Sequence, residues 1–304
     1  VSFSEDVRAE LAGIAPAREC DRLAELSALF HFAGRLHLLG RGEVSLHLDL
    51  SSPAAARRAF ALLRGFGIRS EIRTYQRQAF GRETRYQLHV EGDARGVLER
   101  AGVVDARFRP RERPPRKVVS RSCCRSAYVR GALLASGSVS APPSAHLEVR
   151  SETREGADAV VAAAAAEGGE LRVAERADHM VAYAKGIDRI AGVLAVAGAS
   201  EAALALQERA VVGSTRARAN RLANADHANL VRSGRAAHAQ LQAVRRLERS
   251  GRLDSLAPQL KEIARLRLKH PTLSLRELGA KCQPSISKSS AQRRLNALLK
   301  LAKQ

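Results

Sequence analysis

Hydrophobic positions along the chain follow two periods, and the order in which those periods alternate occurs twice. In the first copy, an apolar helical stretch at 22–33 ends at Gly34, and alternation through Val44-Ser45-Leu46-His47-Leu48-Asp49-Leu50 predicts a strand. Ser52-Pro53 opens a helix through Leu63, strands follow at 70–75 and 85–90, and a helix at 94–101 closes the copy. In the second, a helix at 125–136 ends at Gly137, then come a strand at 146–150, a helix at 154–166, strands at 170–174 and 179–184, and a helix at 188–197. Both copies read α-β-α-β-β-α. Gly34 and Gly137 lie 103 residues apart, and Leu46 and Leu147 lie 101 apart, so the spacing is that of a repeat.

The last fifty residues carry a different pattern. Ser274-Leu275-Arg276-Glu277 is a capping box, in which the Ser hydroxyl and the Glu carboxylate each accept a backbone N–H of the other residue, so a helix starts there. It must be short, because Pro284 lacks an N–H and pushes Gln283 from helical dihedrals, which places a turn across Cys282 to Ile286. From Ser287 a new helix runs to Ala302, with Ala291, Leu295, Leu298, Leu299 and Ala302 on one face and Ser289, Arg293, Asn296 and Lys300 on the other. Upstream, Leu260, Ile263, Ala264, Leu266 and Leu268 of a helix at 258–269 complete a small core. This is the outline of a helix-turn-helix DNA reader. Arg can grip guanine and Asn adenine through paired hydrogen bonds, while Ser and Lys reach phosphates. The candidate DNA contacts are Ser274, Arg276, Lys281, Ser287, Lys288, Ser289, Ser290, Gln292, Arg293, Arg294, Asn296 and Lys300. A merely solvated helix face is the competing reading.

Charge favours the first. The net charge is +20, and from Glu201 onward 21 Lys and Arg face 7 Asp and Glu, which points to a polyanionic partner. Residues 203–251 read as a basic helix bearing Arg216, Arg218, Asn220, Arg221, Asn224 and Asn229, either a solvated connector or a source of extra phosphate contacts. A second basic run occupies 107–125. Cys20, Cys123, Cys124 and Cys282 show no CxxC spacing, and adjacent Cys123 and Cys124 look poorly placed to ligate one zinc, so reduced structural thiols and no metal site are expected. No cofactor motif occurs. Apolar runs fall short of the ~20 residues of a membrane span, and no export signal is read, so a cytoplasmic, nucleoid-associated protein is expected.

The repeat resembles the LAGLIDADG homing-endonuclease fold: small-residue segments end both opening helices, Leu29-Phe30-His31-Phe32-Ala33-Gly34 and Gly131-Ala132-Leu133-Leu134-Ala135-Ser136-Gly137, allowing close pairing about a pseudo-twofold axis. That resemblance implies saddle-like antiparallel sheets and an acid just before each final glycine. Here those positions are Ala33 and Ser136, neither of which ionises to hold a hard divalent ion, and the nearest acids, Glu25 and Glu43, lie off the helix tip. No enzyme activity is expected.

Stretches from end to end resemble the WhiA family of bacterial sporulation and cell-division regulators. They include Ser2-Phe3-Ser4 with Val7, Glu10 and Leu11; Cys123-Cys124-Arg125-Ser126-Ala127-Tyr128-Val129-Arg130-Gly131-Ala132; His146-Leu147-Glu148-Val149; Asn220-Arg221-Leu222-Ala223-Asn224; Ile263-Ala264-Arg265-Leu266-Arg267; and Ser274-Leu275-Arg276-Glu277-Leu278-Gly279 with Ser287-Lys288-Ser289. The sequence departs from the family at Ala225, where Cys is frequent. The resemblance implies an α+β chain: LAGLIDADG-like repeats at 1–104 and 105–202, a helical basic linker at 203–251 and a helix-turn-helix domain at 252–304. It implies a regulator that binds double-stranded promoter DNA to control sporulation, division or chromosome segregation, with another transcription factor or RNA polymerase as candidate partners. Two alternatives stand beside it. One is an active nuclease, which the missing acids oppose. The other is a body that binds protein, small ligand or RNA, with the helix-turn-helix as anchor.

Overall fold

Two helices can approach to backbone contact only where small residues meet, and such a pair forms the centre of the larger part of this chain. The computed structural model describes residues 2–40, 43–77, 83–91 and 94–303. It divides into two compact units, Val1–Ser214 and Thr215–Gln304.

The first unit holds helix α1 (Phe3–Gly13) and then the first repeat: α2 (Glu19–Ala33), β1 (Gly34–Gly40), β2 (Glu43–Leu50), α3 (Pro53–Gly65), β3 (Arg69–Arg77), β4 (Glu83–Glu91) and α4 (Arg95–Arg100). The second repeat is α5 (Ser122–Ser136), β5 (Gly137–Ser140), β6 (His146–Ser151), α6 (Arg154–Ala165), β7 (Arg172–Glu175), β8 (Met180–Lys185) and α7 (Ile187–Ala197). The two antiparallel sheets have equivalent orders, β1-β2-β4-β3 and β5-β6-β8-β7. Gly34 sits opposite Leu48, and Gly137 opposite Val149, so the sequence repeat is also a repeat of strand register.

Each repeat therefore has one strand more than the sequence pattern predicts. In β5, Gly137-Ser138-Val139-Ser140 carries a single large apolar residue, too short a run for period 2 to register. In β1, Arg35-Leu36-His37-Leu38 does alternate, and that signal was legible. β7 begins two residues later than expected, at Arg172. Helix α1 was not expected either, although Ser2 caps it by accepting from the Glu5 N–H, and Phe3, Val7 and Leu11 recur at four-residue spacing on its buried face.

Helix α2 packs along α5. A methyl group on Gly131 would lie 2.5 Å from the Glu25 carbonyl oxygen and 2.8 Å from the Ala28 Cβ, so only glycine permits this crossing. Glu25 is fully buried there and accepts from Arg58 Nε at 2.6 Å, Arg58 Nη2 at 3.0 Å and Arg130 Nε at 3.1 Å. A carboxylate so placed is tolerable only because these guanidinium groups neutralise it and fill its lone pairs. The network joins α2 and α3 of the first repeat to α5 of the second.

Helix α8 (Ser200–Arg249) starts where the Glu10 carboxylate accepts the Glu201 and Ala202 N–H groups at 2.9 and 2.8 Å, capping its positive end. Ala202, Ala203 and Leu206 join the core of the first unit, and Ala243, Val244 and Leu247 that of the second. Every residue from 211 to 230 is exposed.

The second unit continues with α9 (Pro258–Lys269), α10 (Leu275–Ala280) and α11 (Lys288–Leu301). Ile263 and Ala264 of α9, Leu278 of α10, and Ala291, Leu295 and Leu298 of α11 close its core against Val244 and Leu247. Helical spacing in the sequence identified these α9 and α11 residues correctly.

Candidate nucleic-acid interface

The orientation of α11 is set by the turn before it. Ser274 and Glu277 form both bonds of the capping box, 2.8 Å and 3.3 Å. Bonds from Ser274, side chain first, hold the Glu277 carboxyl below the ordinary carboxylate range. The chain leaves α10 through Gly279, whose carbonyl accepts the Ile286 N–H at 2.9 Å, and a Cβ on Gly279 would strike the Ile286 carbonyl oxygen at 2.5 Å. Ser287 then caps α11 by accepting the Ser290 N–H at 3.2 Å. The turn thus falls where Pro284 and the two serine caps placed it.

The outward face of α11 presents Ser289, Gln292, Arg293, Asn296 and Lys300, all exposed, while Ala291, Leu295 and Leu298 point into the core. Lys288 in its first turn, Arg276 on α10 and Lys281 in the turn are also exposed. Arg293 Nη2 donates to Ser290 Oγ at 3.2 Å, which leaves its other guanidinium N–H groups for an incoming acceptor. A helix offering Ser289, Gln292 and Arg293 in its N-terminal half, after a tight turn, has the geometry with which a second helix enters a major groove.

Three expected contacts have other occupations. The hydroxyls of Ser274 and Ser287 are engaged as caps. Arg294 is half-buried, its Nη1 3.7 Å from Glu262 Oε2, while Glu262 Oε1 accepts the Gln283 N–H at 2.6 Å. Arg294 and Glu262 therefore brace the turn from α9. Arg267 is another residue whose task the sequence did not reveal. It is 1% exposed and donates to Gln240 Oε1 at 2.9 Å and to the Leu273 carbonyl at 2.7 Å, so it ties α9 to α8 and to the loop before α10. Burial lowers its pKa.

At the other candidate site, the tips of α2 and α5, Ala33 is buried and Ser136 Oγ donates to the Arg150 carbonyl at 2.7 Å. Glu25, two turns or about 12 Å back along α2, is committed to Arg58 and Arg130. The Glu43 side chain lies outside the described residues.

Comparison with known proteins agrees with this two-part architecture. Residues 19–104 match the WhiA N-terminal LAGLIDADG-like domain, 125–216 the WhiA LAGLIDADG-like domain, and 219–302 the WhiA C-terminal HTH domain. The chain belongs to the WhiA family. Relatives named probable cell division protein WhiA are 35% identical in Symbiobacterium thermophilum, over 99% of this chain and 98% of the relative, and 38% identical in Streptomyces avermitilis, over 99% and 92%. The fold is that of the full-length DUF199/WhiA structure from Thermatoga maritima, which aligns over 100% of this chain and 98% of its own with a TM-score of 0.59 at 21% identity. The fold class expected from the sequence, an α+β LAGLIDADG-like body with a helix-turn-helix, is therefore the class this WhiA member has.

Two further groups of residues in this WhiA chain complete the picture. Arg216, Arg218, Asn220, Arg221 and Asn224 all lie on α8 and are exposed; Asn229 Oδ1 there accepts from Arg232. Cys20, Asp21, Cys123 and Cys124, which sequence spacing gave no reason to group, converge with their ligand atoms within 4.8 Å of one another. Adjacent Cys123 and Cys124 can share that point because it lies between two helices, and residues from α2 supply the rest. Among the described residues, no helix is long and apolar enough to cross a membrane.

Proposed function

We propose that the chain is a DNA-binding transcriptional regulator of cell division and sporulation, with residues 252–304 as its DNA reader. The observation that carries this reading is the exposed Ser289, Gln292, Arg293, Asn296 and Lys300 face of a helix fixed by two serine caps and the Gly279 turn. Arg293 and Asn296 read base edges with Gln292; Ser289, Ser290, Lys288, Lys300, Arg276 and Lys281 contact the backbone. Arg216, Arg218, Asn220, Arg221 and Asn224 add phosphate contacts from the 203–251 helix. The name of the relatives supports the link to division.

The repeats at 1–104 and 105–202 serve as a body without phosphodiester chemistry, because Ala33 and Ser136 supply no carboxylate where the fold would hold its ions. On the sheets of that body, Arg73 pairs with Glu71, Arg85 with Asp49, and Arg35 with Glu152, which leaves these cations partly neutralised as DNA ligands. Its role is to meet a protein partner such as another transcription factor or RNA polymerase. Genome-wide occupancy mapping tests the proposal, with wild-type protein enriched at promoters of division genes and an Arg293→Ala, Asn296→Ala variant losing that enrichment. Occupancy without sequence preference, or enrichment indifferent to both substitutions, would refute it.

A further inference from the structure

A carboxylate removed from water normally has a cation or several N–H donors beside it. Asp21, in the first turn of α2, is 9% exposed, and its hydrogen-bonding partners are two thiols, Cys20 Sγ at 3.4 Å and Cys124 Sγ at 3.6 Å from Oδ1. Thiols are weak donors, so the carboxylate relies on the positive end of α2 and on the nearby Arg18 guanidinium. Cys123 Sγ lies 4.0 Å from Cys124 Sγ, and all four ligand atoms fall within 4.8 Å of one another.

Tetrahedral zinc with Zn–S bonds near 2.3 Å puts neighbouring ligand atoms about 3.8 Å apart. Three of the six separations, 3.4, 3.6 and 4.0 Å, bracket that edge and all six fall within 4.8 Å, so side-chain adjustments of up to about 1 Å would close the shell. We propose that Cys20, Cys123, Cys124 and Asp21 form a structural zinc site that clamps the N-terminal ends of α2 and α5.

The surroundings suit thiolates. Helices α2 and α5 both begin without a side-chain cap, and the four residues sit in their first turns, at the positive ends of their dipoles. Arg18 Nη1 stands 3.7 Å from Cys123 Sγ and offsets part of the negative charge that three thiolates and a carboxylate carry beyond the ion's. Binding the ion releases the thiol protons. A pocket lined by Cys20, Leu23, Arg100, Lys117 and Val118 gives access from solvent. The site is not the endonuclease metal position, since Cys20 and Asp21 lie at the opposite end of α2 from Ala33, about 18 Å along the axis. Chemically it is a closed Cys3Asp set, which fits zinc holding two repeats together and leaves no open coordination position for catalysis.

The test uses the full-length reduced protein. Metal analysis should find one zinc per chain. After chelation, titration with cobalt should give one equivalent carrying a thiolate-to-cobalt charge-transfer band and the strong visible bands of a tetrahedral site, both erased by added zinc. Cys20→Ser and Cys124→Ser should each abolish that spectrum, while Cys282→Ser, in the core of the other unit, should keep it. Chelation should lower the melting temperature of the first unit and leave that of the second unchanged. Absence of a stoichiometric thiolate-cobalt band in wild-type protein overturns the proposal, whatever the variants do. So does a disulfide among these cysteines in protein purified under air, or metal that persists in the Cys20→Ser, Cys124→Ser double variant.

Discussion

His31 offers a quantitative test of how the body of this WhiA protein is packed. It lies in the last turn of α2, with Nδ1 3.3 Å from the Tyr128 hydroxyl and 3.4 Å from Ser27 Oγ. Burial drives its pKa down from 6.5 to about 4, opposed only by a backbone hydrogen bond with Gly102. Because the folded state resists the proton that the unfolded state accepts, no stability is lost to His31 above pH 6.5. Below that value the unfolded chain charges first, and stability falls until the pH reaches about 4, where the folded protein charges too. At about 1.4 kcal/mol for each pH unit, the full loss across this window is about 3 kcal/mol. Denaturant unfolding of the first unit, measured from pH 7 to pH 4 in wild type and in His31→Gln, isolates the effect. The difference between the two stability curves should change by about 3 kcal/mol over that range. Asp105, held down at about 2 by bonds from Arg109 and Arg107, loses its contribution only as pH falls below 3.8, outside the window. Parallel curves would mean that water reaches the imidazole and that the α2 tip is not packed as described.

Arg293→Ala should weaken specific DNA binding by about 1 to 3 kcal/mol and non-specific binding by less; equal losses in a competition gel-shift would make Arg293 a phosphate clamp. Affinity should fall steeply with salt, with a log–log slope near −5 if about six phosphates are neutralised, and replacing Arg216, Arg218 and Arg221 with Ala should make it shallower. An unchanged slope would return that part of α8 to a solvated connector. Leu295→Asp puts an unpaired carboxylate into the core of the second unit and should unfold it while the first unit keeps its own calorimetric transition; one joint transition would contradict independent units. Purified protein should not nick supercoiled plasmid with Mg²⁺ or Mn²⁺ over hours, and cleavage that vanished on mutating this chain would restore the nuclease hypothesis.

The helix-turn-helix was legible because its signals act over three or four residues. The Ser274 and Glu277 box, the break at Pro284, and the spacing of Ala291, Leu295 and Leu298 each specify local geometry, and each recurs in the folded unit. Strand alternation and the 103- and 101-residue offsets likewise exposed the double repeat, with β1 and β5 left out. Other features depend on contacts that no local pattern encodes. Arg294 reads as a DNA ligand until α9 brings Glu262 beside it, and Arg267 reads as one more surface cation until Gln240 and the Leu273 carbonyl enclose it. Cys20 and Cys124 are 104 residues apart and have no motif spacing. They meet because Gly131 lets α5 settle against α2, which aligns the helices' N-terminal ends and turns two unremarkable cysteine positions into one cluster.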